Sequence, residues 1–392
     1  MPSCHFAPLL RLVLMPLMLA ACGGGGASDT EPPPVVATSG PGRLESAAPL
    51  SRVAVADIDA AVQAQGSRTA GIVPRYAVVN HRLTYRTTDA RGQAIVASGL
   101  VSVPLKPAGA KSPLMSYQHG TIDKDADAPS NSATAESPAV ALASLGYIVV
   151  AADYVGYGAS KGAPHPYLVS APTAAAVIDL LTAAKTWRQQ QGVADNGQLF
   201  LVGYSEGGYA TVATHRALQA SASVHLATLV AVAPGAGPYH VGATLDELLR
   251  RVCEQDPVLG ALVSPGLLKN ASPAVRRQVR NLLIAALLSN DADVVFDTEL
   301  FDHYLADDAA AIAAQSDVHD WAPAAPVRFF HGRDDQSVPY VSSTSTLQTM
   351  RTRGAADVSL TDCTQTPSSH LGCVPEYLTF VLAGFAPRVR DL

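Results

Sequence analysis

The chain has 392 residues, of which 48% are hydrophobic and 15% charged. So apolar a chain does not stay disordered, and its length suffices for one large core or for two or three domains. The formal net charge of -6 is modest, and no basic stripe or aromatic-interleaved Lys/Arg cluster occurs, which sets nucleic acid aside as a partner.

In chain order, Phe6 through Ala21 is an apolar run interrupted by Arg11 and ending in small residues. It is too short for a comfortable membrane span and is shaped like a secretory signal. Its end, Leu19-Ala20-Ala21-Cys22, resembles the lipobox of bacterial lipoproteins. That resemblance implies removal of residues 1–21 and lipid on Cys22. With Gly23 rather than Asp after the Cys, it also implies an address at the outer membrane of a Gram-negative cell envelope. The lipid would anchor the protein without a transmembrane helix. Residues 22–50 are rich in Gly, Pro, Ser and Thr without hydrophobic periodicity and are expected to be a flexible tether. Residues 51–392 then form the folded domain.

Two β-rich runs, 75–88 and 93–103, flank Asp89-Ala90-Arg91-Gly92 and read as a hairpin. Short apolar strands at 113–118, 147–152, 199–203, 226–233 and 327–331 follow, most of them separated by Ala-rich helical stretches over 137–145, 171–190 and 206–220. This alternation predicts an α/β fold with a mostly parallel sheet covered by helices on both faces. Roughly ninety residues separate Pro234 from Val327, far more than the dozen or so that a crossover needs. Apolar periodicity over 245–253, 273–289 and 296–314 predicts a helical cap spanning residues 238–322.

Within this frame Gly203-Tyr204-Ser205-Glu206-Gly207 fits G-x-S-x-G, after an apolar strand and before a helix. A nucleophile elbow needs that setting, because the turn lifts the Ser hydroxyl clear of the sheet at a helix N-terminus. Ser205 requires a base and an acid to orient it, arranged as Ser, then acid, then His along such chains. The run His331-Gly332-Arg333-Asp334-Asp335-Gln336-Ser337-Val338-Pro339 directly follows a strand and places the acid at Asp335, with Asp334 the adjacent competitor. After one more short strand, 357–360, His370 is the only remaining His and is therefore the base. The oxyanion hole is expected from the backbone N–H of Glu206 and that of Thr121 in Tyr117-Gln118-His119-Gly120-Thr121, with His119 packing the loop. This chemistry needs no metal or cofactor.

Cys253, Cys363 and Cys373 remain in a mature chain besides Cys22. An oxidising compartment permits a disulfide. Cys363 with Cys373, flanking His370, is the preferred pairing and leaves Cys253 free and buried. Cys253 joined to either of the others is the alternative, since spacing does not settle connectivity.

The ordered set of landmarks resembles the secretory lipase group of α/β-hydrolases. It comprises residues 117–121, Asp153-Tyr154-Val155-Gly156-Tyr157-Gly158-Ala159-Ser160, His165-Pro166-Tyr167, Gly203 to Gly208, His331 to Pro339, and His370 with Cys373. The resemblance implies a serine carboxyl-ester hydrolase, a lipase or esterase with a cap over the acyl site. Many members carry Gln where this chain has Glu206, which puts the pH profile and the preferred substrate charge in question. A small-molecule or lipid ester is the expected substrate, the Cys22 lipid the route to a membrane, and a monomer the expected state. A serine peptidase of the same fold and a non-catalytic ligand-binding surface lipoprotein are the alternatives.

Overall fold

Nine strands form one sheet: β1 (Leu44–Val53), β2 (Val78–Thr88), β3 (Ala94–Pro104), β4 (Ser112–Gln118), β5 (Ile148–Ala152), β6 (Asp195–Tyr204), β7 (Leu229–Gly235), β8 (Val327–His331) and β9 (Val358–Asp362). Their spatial order is β1-β2-β3-β5-β4-β6-β7-β8-β9. The pairs from β5 through β9 are parallel, whereas β1, β2 and β3 join by antiparallel pairing. The computed structural model describes residues 37–66 and 71–392, so the expected signal, Cys22 and much of the tether lie outside the described residues.

Twelve α-helices and three single-turn 3-10 helices lie among the described residues, the α-helices being α1 (Val55–Gln65), α2 (Pro138–Ser144), α3 (Ser170–Gln191), α4 (Glu206–Ala220), α5 (Val241–Gln255), α6 (Pro257–Val263), α7 (Pro265–Leu268), α8 (Pro273–Leu287), α9 (Glu299–Leu305), α10 (Ala309–Gln315), α11 (Val341–Thr352) and α12 (Val374–Phe385). Side chains alternate across a strand, so a strand apolar throughout must be covered on both faces. In β6, Leu199 and Leu201 join the core built with α3 and α4, while Phe200 and Val202 join the one built with α1, α2 and α12. Each such fully buried side chain contributes about 1.5–3 kcal/mol. No helix among the described residues is long and apolar enough to cross a membrane.

Six helices, α5 through α10, lie between β7 and β8, where the apolar periodicity called for an insertion. The insertion leaves and re-enters the sheet domain side by side. Val318 N–H donates to Tyr239 O at 2.9 Å, and the His240 and His319 rings stack 3.7 Å apart.

One boundary differs from the sequence expectation. The tether was expected to run to residue 50, yet residues 44–50 belong to β1, which pairs with β2 at the sheet edge. Its register shifts between Pro49 and Ser51, and most of its side chains are exposed. An edge strand is held chiefly by backbone pairing and tolerates Pro at a bulge, so hydrophobic periodicity had nothing to detect. The same weak signal hid α1, which buries only Ile58 and Ala61.

Candidate active site

β6 ends at Tyr204 and α4 begins at Glu206, which leaves Ser205 alone to make the turn with φ 60° and ψ -125°. A positive φ at a residue with a Cβ costs on the order of 1–3 kcal/mol and persists only where the surroundings hold it. Ser205 N–H donates to Gly235 O at 2.9 Å, which fastens the turn to the neighbouring strand. The flanking glycines answer a problem of space rather than of dihedral freedom. A Cβ on Gly203 would stand 2.2 Å from Gly207 O, and one on Gly207 would stand 2.0 Å from Gln118 O.

The loop after β9 brings His370 to this turn. His370 Nε2 lies 2.9 Å from Ser205 Oγ, and His370 Nδ1 lies 2.6 Å from Asp335 Oδ2. Asp335 is fully buried, and its Oδ1 accepts the N–H groups of Ser337 and Val338 at 2.9 and 2.8 Å. Burial alone would raise the Asp335 carboxyl. Hydrogen bonds from His331 and His370, the His370 charge and the Val338 amide together hold it well below the usual carboxylate range. The structure therefore brings Ser205, His370 and Asp335 together in one chain of hydrogen bonds.

Asp334 does something else. Its Oδ2 accepts both the N–H and the hydroxyl of Ser368 at 2.9 Å, two residues before His370. The Cys363–Cys373 disulfide closes the same loop, and Tyr204 donates its hydroxyl to His370 O at 2.7 Å. A Cβ on Gly332 would stand 2.0 Å from Ser368 O, so the acid loop and the His loop touch through backbone. Cys253 is free, as expected for this pairing, but half-buried in α5 rather than fully enclosed.

The segment after β4 passes over the elbow, since a Cβ on Gly120 would lie 3.3 Å from Tyr204 O and 3.7 Å from the Ser205 Cβ. Glu206 is the first residue of α4, where a helix leaves its N–H groups without intrahelical partners. Among the described residues neither the Glu206 nor the Thr121 amide has an acceptor. An oxyanion requires two free N–H groups; the Glu206 amide directly follows Ser205 in the chain, and the Thr121 amide follows Gly120, which passes over the elbow. His119 is buried, with Nδ1 2.7 Å from Gly120 O and Nε2 3.3 Å from Asp153 O.

Sequence reasoning assigned no role to His165, which lies 41 residues before Glu206. Its Nε2 is 2.7 Å from Glu206 Oε1, with both side chains buried. The motif His165-Pro166-Tyr167 was visible, but a contact at that separation leaves no periodic trace. His331 was likewise visible only as part of its motif. Its Nε2 lies 3.2 Å from Asp335 Oδ2, and its Nδ1 lies 2.7 Å from Ser343 Oγ.

Beside the acid loop, Tyr167, Leu245, Leu249, Phe301 and Val338 are among the residues that enclose an apolar cavity of about 280 Å³ between the insertion and the sheet domain. Among the described residues one cluster, His240, Asp317 and His319, brings three metal-ligating atoms within 4.8 Å of one another. Its two imidazoles lie face to face at 14°, so their in-plane lone pairs run side by side instead of converging on one ion.

Residues 130–363 match the Hydrolase_4 family, described as serine aminopeptidase, S33. Comparison with curated protein sequences finds no match. Among solved structures, a ligand-bound form of the rice cell wall degrading esterase LipA from Xanthomonas oryzae is 23% identical with a TM-score of 0.70, over 90% of this chain and all (100%) of that one. A hydrolase structure from Legionella pneumophila is 22% identical with a TM-score of 0.70, over 88% of this chain and 97% of that one. Candida antarctica lipase A in its closed state is 18% identical with a TM-score of 0.56, over 93% of this chain and 87% of that one. These likenesses share the α/β-hydrolase fold that the motifs led one to expect.

Proposed function

From the premise that the chain belongs to the serine aminopeptidase S33 family of hydrolases, we propose that it is a serine carboxyl-ester hydrolase whose nucleophile is Ser205. The observation that carries this reading is the relay from Ser205 Oγ to His370 Nε2 at 2.9 Å and from His370 Nδ1 to Asp335 Oδ2 at 2.6 Å. Ser205 Oγ attacks the ester carbonyl while His370 takes its proton, and Asp335 holds the ring with Nδ1–H towards the carboxylate. The Glu206 and Thr121 amides receive the oxyanion. His370 returns the proton to the departing alcohol, which leaves an acyl group on Ser205. Water, deprotonated by the same ring, then releases the acid and restores the hydroxyl.

Ester rather than amino-terminal peptide cleavage is favoured by the cavity. An aminopeptidase must hold a substrate ammonium, and a buried cation is tolerated only when paired. Among the described residues lining the cavity none is Asp or Glu, and the Glu206 carboxylate is taken up by His165. Apolar walls suit an acyl chain.

A panel of p-nitrophenyl esters of increasing chain length, set against aminoacyl and prolyl p-nitroanilides, tests the assignment. Esters should be turned over at least about 100-fold faster than the anilides, and Ser205→Ala should lose several orders of magnitude in kcat/KM with its fold intact. Preference for the anilides would favour the peptidase reading. The reading extends to location: lipid on Cys22 would tether the enzyme to the outer membrane of a Gram-negative envelope. Mass spectrometry of the mature amino terminus should find a lipid-modified Cys22, and an unmodified or differently cleaved terminus defeats that part.

A further inference from the structure

Glu206 is an awkward neighbour for a developing oxyanion. Its amide, without an acceptor among the described residues, directly follows Ser205, while its carboxylate reaches the side chain of Thr121, the other expected donor residue. Charge of the same sign as the developing oxyanion works against catalysis in a site from which water is excluded. The Glu206 carboxylate must therefore be cancelled locally.

His165 is placed to do this. Its Nδ1 lies 2.9 Å from Val155 O, and because a carbonyl only accepts, Nδ1 carries a hydrogen. Its Nε2 lies 2.7 Å from Glu206 Oε1, too close for two bare lone pairs, so a second proton sits between ring and carboxylate. The side chains are 1% and 2% exposed, and Glu206 Oε2 has no hydrogen-bond partner. The other polar groups around the carboxylate are His119, Tyr154, Tyr157, Tyr167, Tyr209 and the Thr121 side chain. Burial pushes the His119 ring towards its neutral form and the tyrosines away from ionisation, which leaves the proton shared across the His165–Glu206 contact to compensate the carboxylate. Burial would likewise raise the Glu206 carboxyl, but the His165 charge and hydrogen bond outweigh it and keep the acid ionised.

The same residue reaches the insertion. His165 N–H donates to Val295 O and Asp297 N–H donates to His165 O, both at 2.7 Å. The ring meets Phe296 at 5.2 Å, and Phe296 stacks on Tyr167, a wall of the apolar cavity, at 4.8 Å.

We propose that His165 is a positioning residue of the oxyanion hole, which neutralises the Glu206 carboxylate next to the Ser205 turn and ties that corner to residues 295–297 of the insertion, which back the cavity wall at Tyr167. The inference rests on the esterase reading.

The test is a charge-removal rescue. His165→Gln leaves the Glu206 anion uncompensated, and kcat on a p-nitrophenyl ester should fall on the order of 10²-fold, the scale of one lost oxyanion donor, with KM within about threefold. That deficit, taken as a ratio to the unmodified protein, should grow as pH rises through the ionisation of Glu206. Adding Glu206→Gln removes both charges and should return kcat to within about tenfold of the unmodified protein. Glu206→Gln alone still offers an amide hydrogen to a neutral His165 and should also stay within about tenfold. Assays run well below each melting temperature separate this from a packing defect, which would give no pH-dependent ratio. A folded His165→Gln with kcat within about twofold of the unmodified protein, or a double variant no better than the single, overturns the inference. Should His165→Gln not fold, Glu206→Gln decides alone, and a loss approaching that of Ser205→Ala overturns it. Retained turnover in Ser205→Ala, run in parallel, defeats the esterase reading instead.

Discussion

The elbow and the insertion solve opposite problems. At the elbow, backbones approach so closely that Gly203 and Gly207 have no room for a Cβ, and one turn fixes where the Ser205 hydroxyl stands. The insertion keeps a void instead: α5, α8 and α9 contribute to a cavity of about 280 Å³, and apolar side chains such as Val258, Leu267 and Leu282 stand exposed on it. Chemistry is therefore expected to be intolerant of substitution, while substrate preference should vary with the side chains of the insertion. The insertion reaches the triad at its acid, where Arg251 of α5 donates to Asp335 O at 3.0 Å.

The contrast is sharpest at Asp335. Asp335→Asn leaves the shape but lets the ring take the wrong tautomer, and kcat should fall about 10⁴-fold with little change in KM. A loss far smaller than 10⁴-fold would mean that another group orients His370. Because the folded Asp335 carboxyl titrates below an unfolded one, its contribution to stability is complete above the ordinary carboxylate range. That contribution fades as pH falls through the depressed value. Acid unfolding followed by circular dichroism should therefore begin at higher pH in the Asn variant.

Gly207→Ala tests the crowded side directly. Its Cβ would meet backbone rather than a movable side chain, so a loss of about 3 kcal/mol or more in urea unfolding is expected. A stable, active Ala variant would show that the elbow has slack. Asp334→Ala should be milder. It removes the clamp on Ser368, so kcat should drop about tenfold and stability by about 1–2 kcal/mol. Smallest in its effect on chemistry is Phe301→Ala in the cavity. Turnover of an acetyl ester should change by less than about threefold, while the preferred acyl chain shifts to longer esters by about 10-fold in kcat/KM. An equal loss on every chain length would remove the cavity from the acyl path.

The same contrast explains what was legible in the chain. Ser205, Asp335 and His370 stand in short motifs at strand ends, because local turns and chain order constrain them together. The strands that are apolar throughout and the Ala-rich α3 and α4 are legible from composition and length rather than from periodicity. β1 carries no such signal, since its partner supplies backbone bonds and its side chains stay outside the core. The pairing of His165 with Glu206 was hidden because one side chain arrives from a loop and the other from a helix, and only the folded sheet brings them within 2.7 Å. Asp334 and Asp335 could be ranked from their motif, but the Ser368 clamp required the His loop to be in place.

The central claim is that Ser205 becomes the acylated atom. Treating the protein with a fluorophosphonate, following ester hydrolysis to completion of inhibition and mapping the adduct by peptide mass spectrometry reads this atom directly. One phosphonyl group on Ser205, in proportion to the activity lost, is the expected result. Hydrolysis that continues with Ser205 fully modified, or inhibition with the adduct on another residue, would contradict the account.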